Sequence, residues 1–205
     1  MADIYRTARE EHYFYLGPST SEFSPFSSGI TFADPNYHIM RPNGDHYVFE
    51  YILNGRGYIY FNEEKVSLGP GAAYILHPCT YHHYYSDPLD PWTKIWLNAR
   101  GMLVQHLLSD YRLNTNCYIR NFRDSKYLSL ALEAMKTDPV HCKNDLALFL
   151  HHHIQLFSNA LIRDQEKNSP AFAMKCFIEQ NLNHALSIGE IAAHVHLSRS
   201  RANDL

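Results

Sequence analysis

Over the first hundred residues, short apolar runs alternate with polar positions and are cut by turn formers. After that the apolar residues recur at helical spacing. Residues 47–53, Tyr-Val-Phe-Glu-Tyr-Ile-Leu, read as a strand. Asn54-Gly55 ends it with the strongest short hairpin signal, and residues 58–61 are the expected return strand. Residues 62–65 form a second turn and 66–68 a third strand, which Gly69-Pro70-Gly71 breaks. Residues 72–76 and 81–85 are strands around a His77-Pro78 corner, and 92–98 follow a rigid Asp-Pro turn. So many short strands predict a small barrel or sandwich over residues 21–100. Residues 1–20 read as a loose aromatic arm, with an edge strand as the alternative.

Residues 102–108 and 127–135 suit helices, and residues 144–163 give the best helical pattern in the chain. There Leu146, Phe149, Leu150, His153, Ile154, Phe157 and Leu161 recur on one face. This stripe has two readings, a dimer seam or packing on the barrel. His151-His152-His153 lies inside this helix, and consecutive helical side chains about 100° apart do not converge on one metal. A polar linker follows at 165–169. Ser169-Pro170 then opens a helix as N-cap and first residue, carrying Met174, Phe177, Ile178 and Leu182.

Ser187 and Glu190 form a capping box ahead of an inward face made by Ile191, Ala192, Val195 and Leu197. Ser198 sits where a new N-cap is wanted. This is the pattern of a helix-turn-helix, whose second helix enters the DNA major groove. Arg199 and Arg201 open that second helix and are the candidate DNA contacts. The chain ends at Leu205, about two turns into it, so the domain over 169–205 is expected to be incomplete.

Composition narrows the picture. The formal net charge is −3, and Glu190, Arg199, Arg201 and Asp204 cancel within the stub, which argues against a freestanding nucleic-acid-binding domain. The 15 tyrosines and 11 phenylalanines fit either strand propensity or the lining of a polar cavity. Cys79, Cys117, Cys142 and Cys176 lie far apart with no C-x-x-C, which predicts free thiols and a cytoplasmic protein. The first residues lack the apolar run of a leader, and no run approaches the roughly twenty residues of a membrane span. Neither a nucleophile elbow nor a phosphate loop is present, so no enzyme activity and no cofactor are expected.

Residues 41–44 (Arg-Pro-Asn-Gly), the strand 47–53, Gly55-Arg56-Gly57-Tyr58, Leu68-Gly69-Pro70-Gly71, residues 77–84 and Asp90-Pro91-Trp92 stand in a telling order. Followed by residues 186–205, they resemble the AraC family of bacterial transcription regulators from about residue 25 onward. The resemblance implies an α+β chain. A jelly-roll-like cupin β-barrel would bind a small effector, often a sugar, and a helical segment over 101–165 would form a homodimer. Two helix-turn-helix units would bind DNA in the full-length protein; here the first is cut short and the second is missing, as in a truncated sensor.

By local match to the arabinose-responsive member, Arg41 corresponds to a sugar-contacting arginine, Tyr84 to a pocket tyrosine and Trp96 to a tryptophan stacked on the sugar. Lys94 stands where that member has a histidine, so arabinose itself is not implied. The residues support a carbohydrate independently. Trp92, Lys94 and Trp96 alternate onto one strand face, where an aromatic ring covers the C–H face of a sugar and cations donate to hydroxyls. His82 completes the candidate effector set. The alternative is a metal-dependent cupin enzyme. His46, Glu50 and His82 could supply two histidines and a carboxylate, although the first barrel motif has no His-x-His and the expected metal content is none.

Overall fold

The computed structural model describes residues 4–5, 8–61, 63–167, 169–182 and 185–204. Residues 1–3, 6 and 7 of the expected arm, Asn62 of the second turn, Asn168 of the linker and Leu205 lie outside them. The elements run β1 (Ile4–Tyr5), β2 (Ala8–Phe14), β3 (Ser24–Ala33), β4 (His38–Arg41), β5 (Tyr47–Asn54), β6 (Gly57–Phe61), β7 (Glu64–Leu68), β8 (Ala73–Leu76), β9 (His82–Ser86), β10 (Thr93–Arg100), α1 (Met102–Asp110), β11 (Cys117–Ile119), α2 (Lys126–Thr137), α3 (Lys143–Lys167), α4 (Pro170–Gln180), α5 (Ile188–His194) and α6 (Arg199–Asn203). The chain divides into two compact units, residues 1–158 and 159–205.

The first unit is α+β, with two antiparallel sheets and helices α1 and α2, joined by the N-terminal part of α3. One sheet has five strands in the order β1-β4-β9-β6-β7; the other has six in the order β11-β8-β5-β10-β3-β2. Period-two alternation fills the space between them: β6 buries Gly57, Ile59 and Phe61 while Tyr58 and Tyr60 turn outward. Ile39, Ile52, Ile59, Leu68, Leu76, Tyr84 and Trp92 belong to one buried cluster. Each fully buried aliphatic side chain here contributes about 1.5–3 kcal/mol.

The six-stranded sheet is covered on its other face as well. Phe49 and Ile52 of β5 are both fully buried although their side chains point opposite ways. Phe49 and Phe122 meet the ring of His153 edge-on, with centroids at 6.1 and 5.4 Å. Leu146, Leu150, His153, Ile154 and Phe157 of α3 are buried. Of the two readings of the stripe, packing on the barrel describes these positions, which are covered by their own chain. Periodicity reports which face is buried and is silent on what covers it.

Asn54-Gly55 requires a correction. β5 pairs with β8 and β10, whereas β6 pairs with β7 and β9. The two strands thus lie in different sheets, and the dipeptide turns a corner between them instead of closing a hairpin. Gly55 takes φ +70°, which a residue without a Cβ adopts freely. The Arg56 N–H donates to the Asp90 carbonyl at 2.7 Å and so ties the corner to the turn before β10. The local turn chemistry was read correctly, but burial on both faces of β5 decided its partners.

The edge-strand alternative describes residues 8–14, since β2 pairs with β3 along its length. β3 itself, Ser-Pro-Phe-Ser-Ser-Gly-Ile-Thr-Phe-Ala, lies in the expected barrel span of 21–100, although its small polar residues single out no strand there. It nevertheless lies between β10 and β2.

In the second unit α4, α5 and α6 gather Met174, Ile191, Ala192 and Ala202 into a small core. The Phe172 N–H donates to Ser169 Oγ, and the Arg201 N–H donates to Ser198 Oγ. The Ser187–Glu190 capping box forms with both of its bonds. The side chains of Arg199 and Arg201 are exposed.

Candidate functional site inside the barrel

β10 runs through the six-stranded sheet between β3 and β5. Its alternation sends Lys94, Trp96 and Asn98 toward the five-stranded sheet, with Trp92 just ahead of the strand on the same side. Across from Trp96 the register partner in β3 is Gly29. A Cβ on Gly29 would stand 2.7 Å from Trp96 Cζ2, so only a bare backbone leaves room for the indole. Trp96 Nε1 donates to Thr31 Oγ1 at 2.9 Å, and Thr31 Oγ1 donates to Glu10 Oε1 at 3.1 Å. The His12 ring meets the indole edge-on at 4.8 Å.

These groups border a small, partly open cavity of about 40 Å³ between the sheets, lined among others by Glu10, Arg41, Glu50, Tyr84, Trp96 and Asn98. Asn98 donates through Nδ2 to Ser27 Oγ at 3.2 Å, and its buried Oδ1 has no hydrogen-bond partner. A buried acceptor without a donor costs about 1–3 kcal/mol, which a bound hydroxyl would recover. The cavity therefore offers the cationic donors of Arg41, carboxylate and amide acceptors and the rings of Tyr37, Tyr84 and Trp96 around a space for about three water molecules at most.

Beside the cavity lies a buried ion pair. Lys94 is fully buried and Glu50 is 4% exposed. Lys94 Nζ is 2.5 Å from Glu50 Oε2 and donates to Tyr74 Oη at 3.0 Å. Tyr74 Oη in turn donates to Glu50 Oε2. The ammonium also faces the rings of Tyr84 and Trp92, at 4.3 and 4.5 Å from their centroids. Burial lowers the pKa of Lys94 against the opposing pull of Glu50. Burial and the Glu50 charge both push the Tyr74 hydroxyl well above its usual value.

The expected effector residues thus separate into three groups. Arg41, Tyr84 and Trp96 line the cavity. Lys94 stands behind it, with its charge already engaged by Glu50. Trp92 and His82 face inward but do not line the cavity. Trp92 is core packing against Gly57, where a Cβ would sit 2.2 Å from Cε3. His82 lies against Gly44, and its Nε2 donates to the His77 carbonyl at 2.8 Å. Burial pulls His82 down to about 4, so its ring is neutral at pH 7. Strand alternation fixes the face of a residue and not its depth along the barrel.

Glu10, Thr31 and Asn98 were missed by the sequence reading. Asn98 was legible, because it continues the 94, 96 alternation by one step. Glu10 and Thr31 were not, because β2 lies in the expected arm and β3, although within the expected barrel span, carries no alternation that marks Thr31 as facing inward.

His46, Glu50 and His82 do not assemble a metal site. His46 Nδ1 is bonded to Asp45 at 2.6 Å, and the Glu50 and His82 side chains are engaged as described. Among the described residues no group of three His, Cys, Asp or Glu side chains could hold a metal ion. Likewise no helix among them is long and apolar enough to cross a membrane.

A two-sheet barrel with a polar lumen, followed by helices, defines a ligand-binding domain of the cupin kind. A family model described as the AraC-like ligand binding domain matches residues 27–148, and the chain belongs to that family. The Msm operon regulatory protein of Streptococcus mutans serotype c is 25% identical over 166 residues, covering 76% of this chain and 60% of that protein. The chain thus spans about 60% of the length of this curated relative. Among solved structures, the AraC-like transcriptional activator CuxR matches 94% of this chain and 78% of its own, at 13% identity and TM-score 0.42. ToxT from Vibrio cholerae O395 matches 96% and 72%, at 10% identity and TM-score 0.40.

Proposed function

We propose that this chain is the effector-sensing and dimerisation region of an AraC-type DNA-binding transcription regulator, and that its effector is a neutral carbohydrate. The observation that carries this reading is the polar lumen. Arg41 supplies donors, Glu10, Glu50 and Asn98 supply acceptors, and Trp96 and Tyr84 supply ring surface. Lys94 neutralises Glu50, and Arg41 balances Glu10, so the site favours hydroxyls over a charged ligand.

A cavity of about 40 Å³ does not hold a pyranose, so the effector binds only after the lumen opens. β2 is the element best suited to move. It is an edge strand with a single paired neighbour, and it brings Glu10 and His12 to the cavity. The effector selects an opened state and reseats β2 over itself, and its differential affinity for the two states sets the size of the response. Homodimerisation uses the outer face of α2 and α3, where Leu130 and Leu148 remain exposed. In a complete regulator Arg199 and Arg201 of α6 contact DNA.

The test is a thermal-shift screen of this chain against neutral mono- and disaccharides. A sugar at 100 times its dissociation constant adds about 2.7 kcal/mol, which raises Tm by about 5–10 °C for a chain of this size. The shift is expected to be selective and to vanish in Arg41→Ala and in Trp96→Ala. No shift with any sugar, or a shift kept in both variants, contradicts the reading.

A further inference from the structure

The outer face of the five-stranded sheet carries a second recognition surface. A sheet face turned to water is ordinarily dressed with short polar and charged side chains. Here β4, β6 and β9 present His38, Tyr58, Tyr60, His83 and Tyr85, with Tyr81 just ahead of β9. Tyr60 stacks on His83 with centroids 4.3 Å apart and planes 10° from parallel. Along β9 the rings of Tyr81, His83 and Tyr85 follow one another at 5.8 and 6.0 Å. Tyr81 is 46% exposed, which keeps one end of the row open to solvent.

The row runs into a half-open cleft of about 730 Å³, far larger than the lumen. Tyr47, Tyr60, Tyr81 and His83 give it aromatic walls, and Thr80, Asn114, Thr115 and Asn116 add hydroxyl and amide groups. His77 also borders it. That residue is nine-tenths buried, and its Nε2 has no hydrogen-bond partner. Burial lowers the pKa of both His77 and His83, so their rings are neutral near pH 7. Glu63 is then the single charged group among the described lining residues, and none of them is a cation.

We propose that this cleft and the ring row leading into it bind a neutral oligosaccharide, at a site separate from the lumen. Ring faces cover the C–H faces of successive sugar units, and the amides and hydroxyls of the rim take their hydroxyl groups. The ring spacing along β9 is comparable to one pyranose unit, which favours a chain of sugars over a single one. Phosphate-bearing ligands are disfavoured, because nothing in the lining offers the positive charge they need. The site stands independently of the lumen reading, because none of its lining residues borders the cavity between the sheets.

The experiment is calorimetric titration of the whole chain with maltohexaose, cellohexaose, xylohexaose and mannohexaose. Tyr81→Ala and Asn114→Ala alter exposed side chains, so folding is not at risk, and near-ultraviolet circular dichroism verifies it. At least one hexasaccharide is expected to bind. Tyr81→Ala should weaken it by about tenfold, whereas Trp96→Ala changes it by less than about twofold. The monosaccharide response of the lumen should survive Tyr81→Ala unchanged. Absence of binding by all four probes overturns the proposal. So does binding that Trp96→Ala abolishes and Tyr81→Ala and Asn114→Ala leave intact, since it then belongs to the lumen. A failed lumen screen with intact hexasaccharide binding overturns only the lumen reading.

Discussion

Glu50→Ala is expected to destabilise the first unit by about 3–5 kcal/mol, the usual cost of leaving one partner of a buried ion pair behind. Lys94 Nζ would remain fully buried among the rings of Tyr84 and Trp92, with only the Tyr74 hydroxyl to bond. The aromatic faces offset part of the loss, at about 2 kcal/mol or more for a desolvated cation. Lys94 already has a lowered pKa, and losing the carboxylate lowers it further, so the variant relieves itself by releasing a proton. Its deficit should therefore shrink as pH rises. The double variant Glu50→Gln with Lys94→Met removes both charges and should recover most of the stability, because an apolar replacement of a buried pair is often neutral or better. Urea unfolding of the three proteins at pH 7 and pH 9 checks this. A single variant within about 1 kcal/mol of the parent would show that the pair is not dry.

Acid should weaken the unit through His153. Burial alone lowers the pKa of this histidine from 6.5 to about 4. Phe49, Phe122 and Phe157 surround the ring, and its Nε2 has no hydrogen-bond partner. Between pH 6.5 and about 4 the unfolded chain takes up a proton that the folded chain refuses. Stability is complete above 6.5, falls as pH drops through this window, and loses about 3 kcal/mol by its lower end. His82 follows the same course for the same reason, because burial brings it also to about 4. His153→Leu keeps the site apolar and removes one of the two titrations. Relative to the parent, it should gain about 3 kcal/mol between pH 7 and pH 4 in urea unfolding. Parallel stability profiles for the two proteins would contradict the assignment.

Much of this architecture could be read from the chain, and the failures share one cause. Where a signal is local, it held. The Ser187–Glu190 box, the Ser169 cap ahead of Pro170 and the strands around residues 47–53 and 66–68 all form near their expected places. Where pairing depends on distant residues, the sequence was ambiguous. Asn54-Gly55 has hairpin chemistry but joins two sheets. The stripe on α3 has a period that suits either a seam or packing on the barrel, and Leu146, Leu150, His153, Ile154 and Phe157 are buried within the first unit. β3 is hard to single out within the barrel span because its serines and Gly29 are small, and Gly29 is small because Trp96 lies over it. The cavity followed the same division. Arg41, Tyr84 and Trp96 were legible from motif and alternation. The place of Glu10 in the lining was not, because it depends on where an edge strand docks.

The central claim is that the effector sits in the lumen and that β2 closes over it. Backbone hydrogen exchange tests this most directly, with the chain alone and with a saturating sugar taken from the thermal-shift screen. At 100 times the dissociation constant, amides at Glu10–His12 and Trp96–Asn98 should exchange about a hundredfold more slowly. Residues 58–61 and 81–85 of the outer sheet should gain no more protection than the unit as a whole. Protection centred on those outer strands, with β2 and β10 unchanged, would place the effector outside the barrel and contradict the claim.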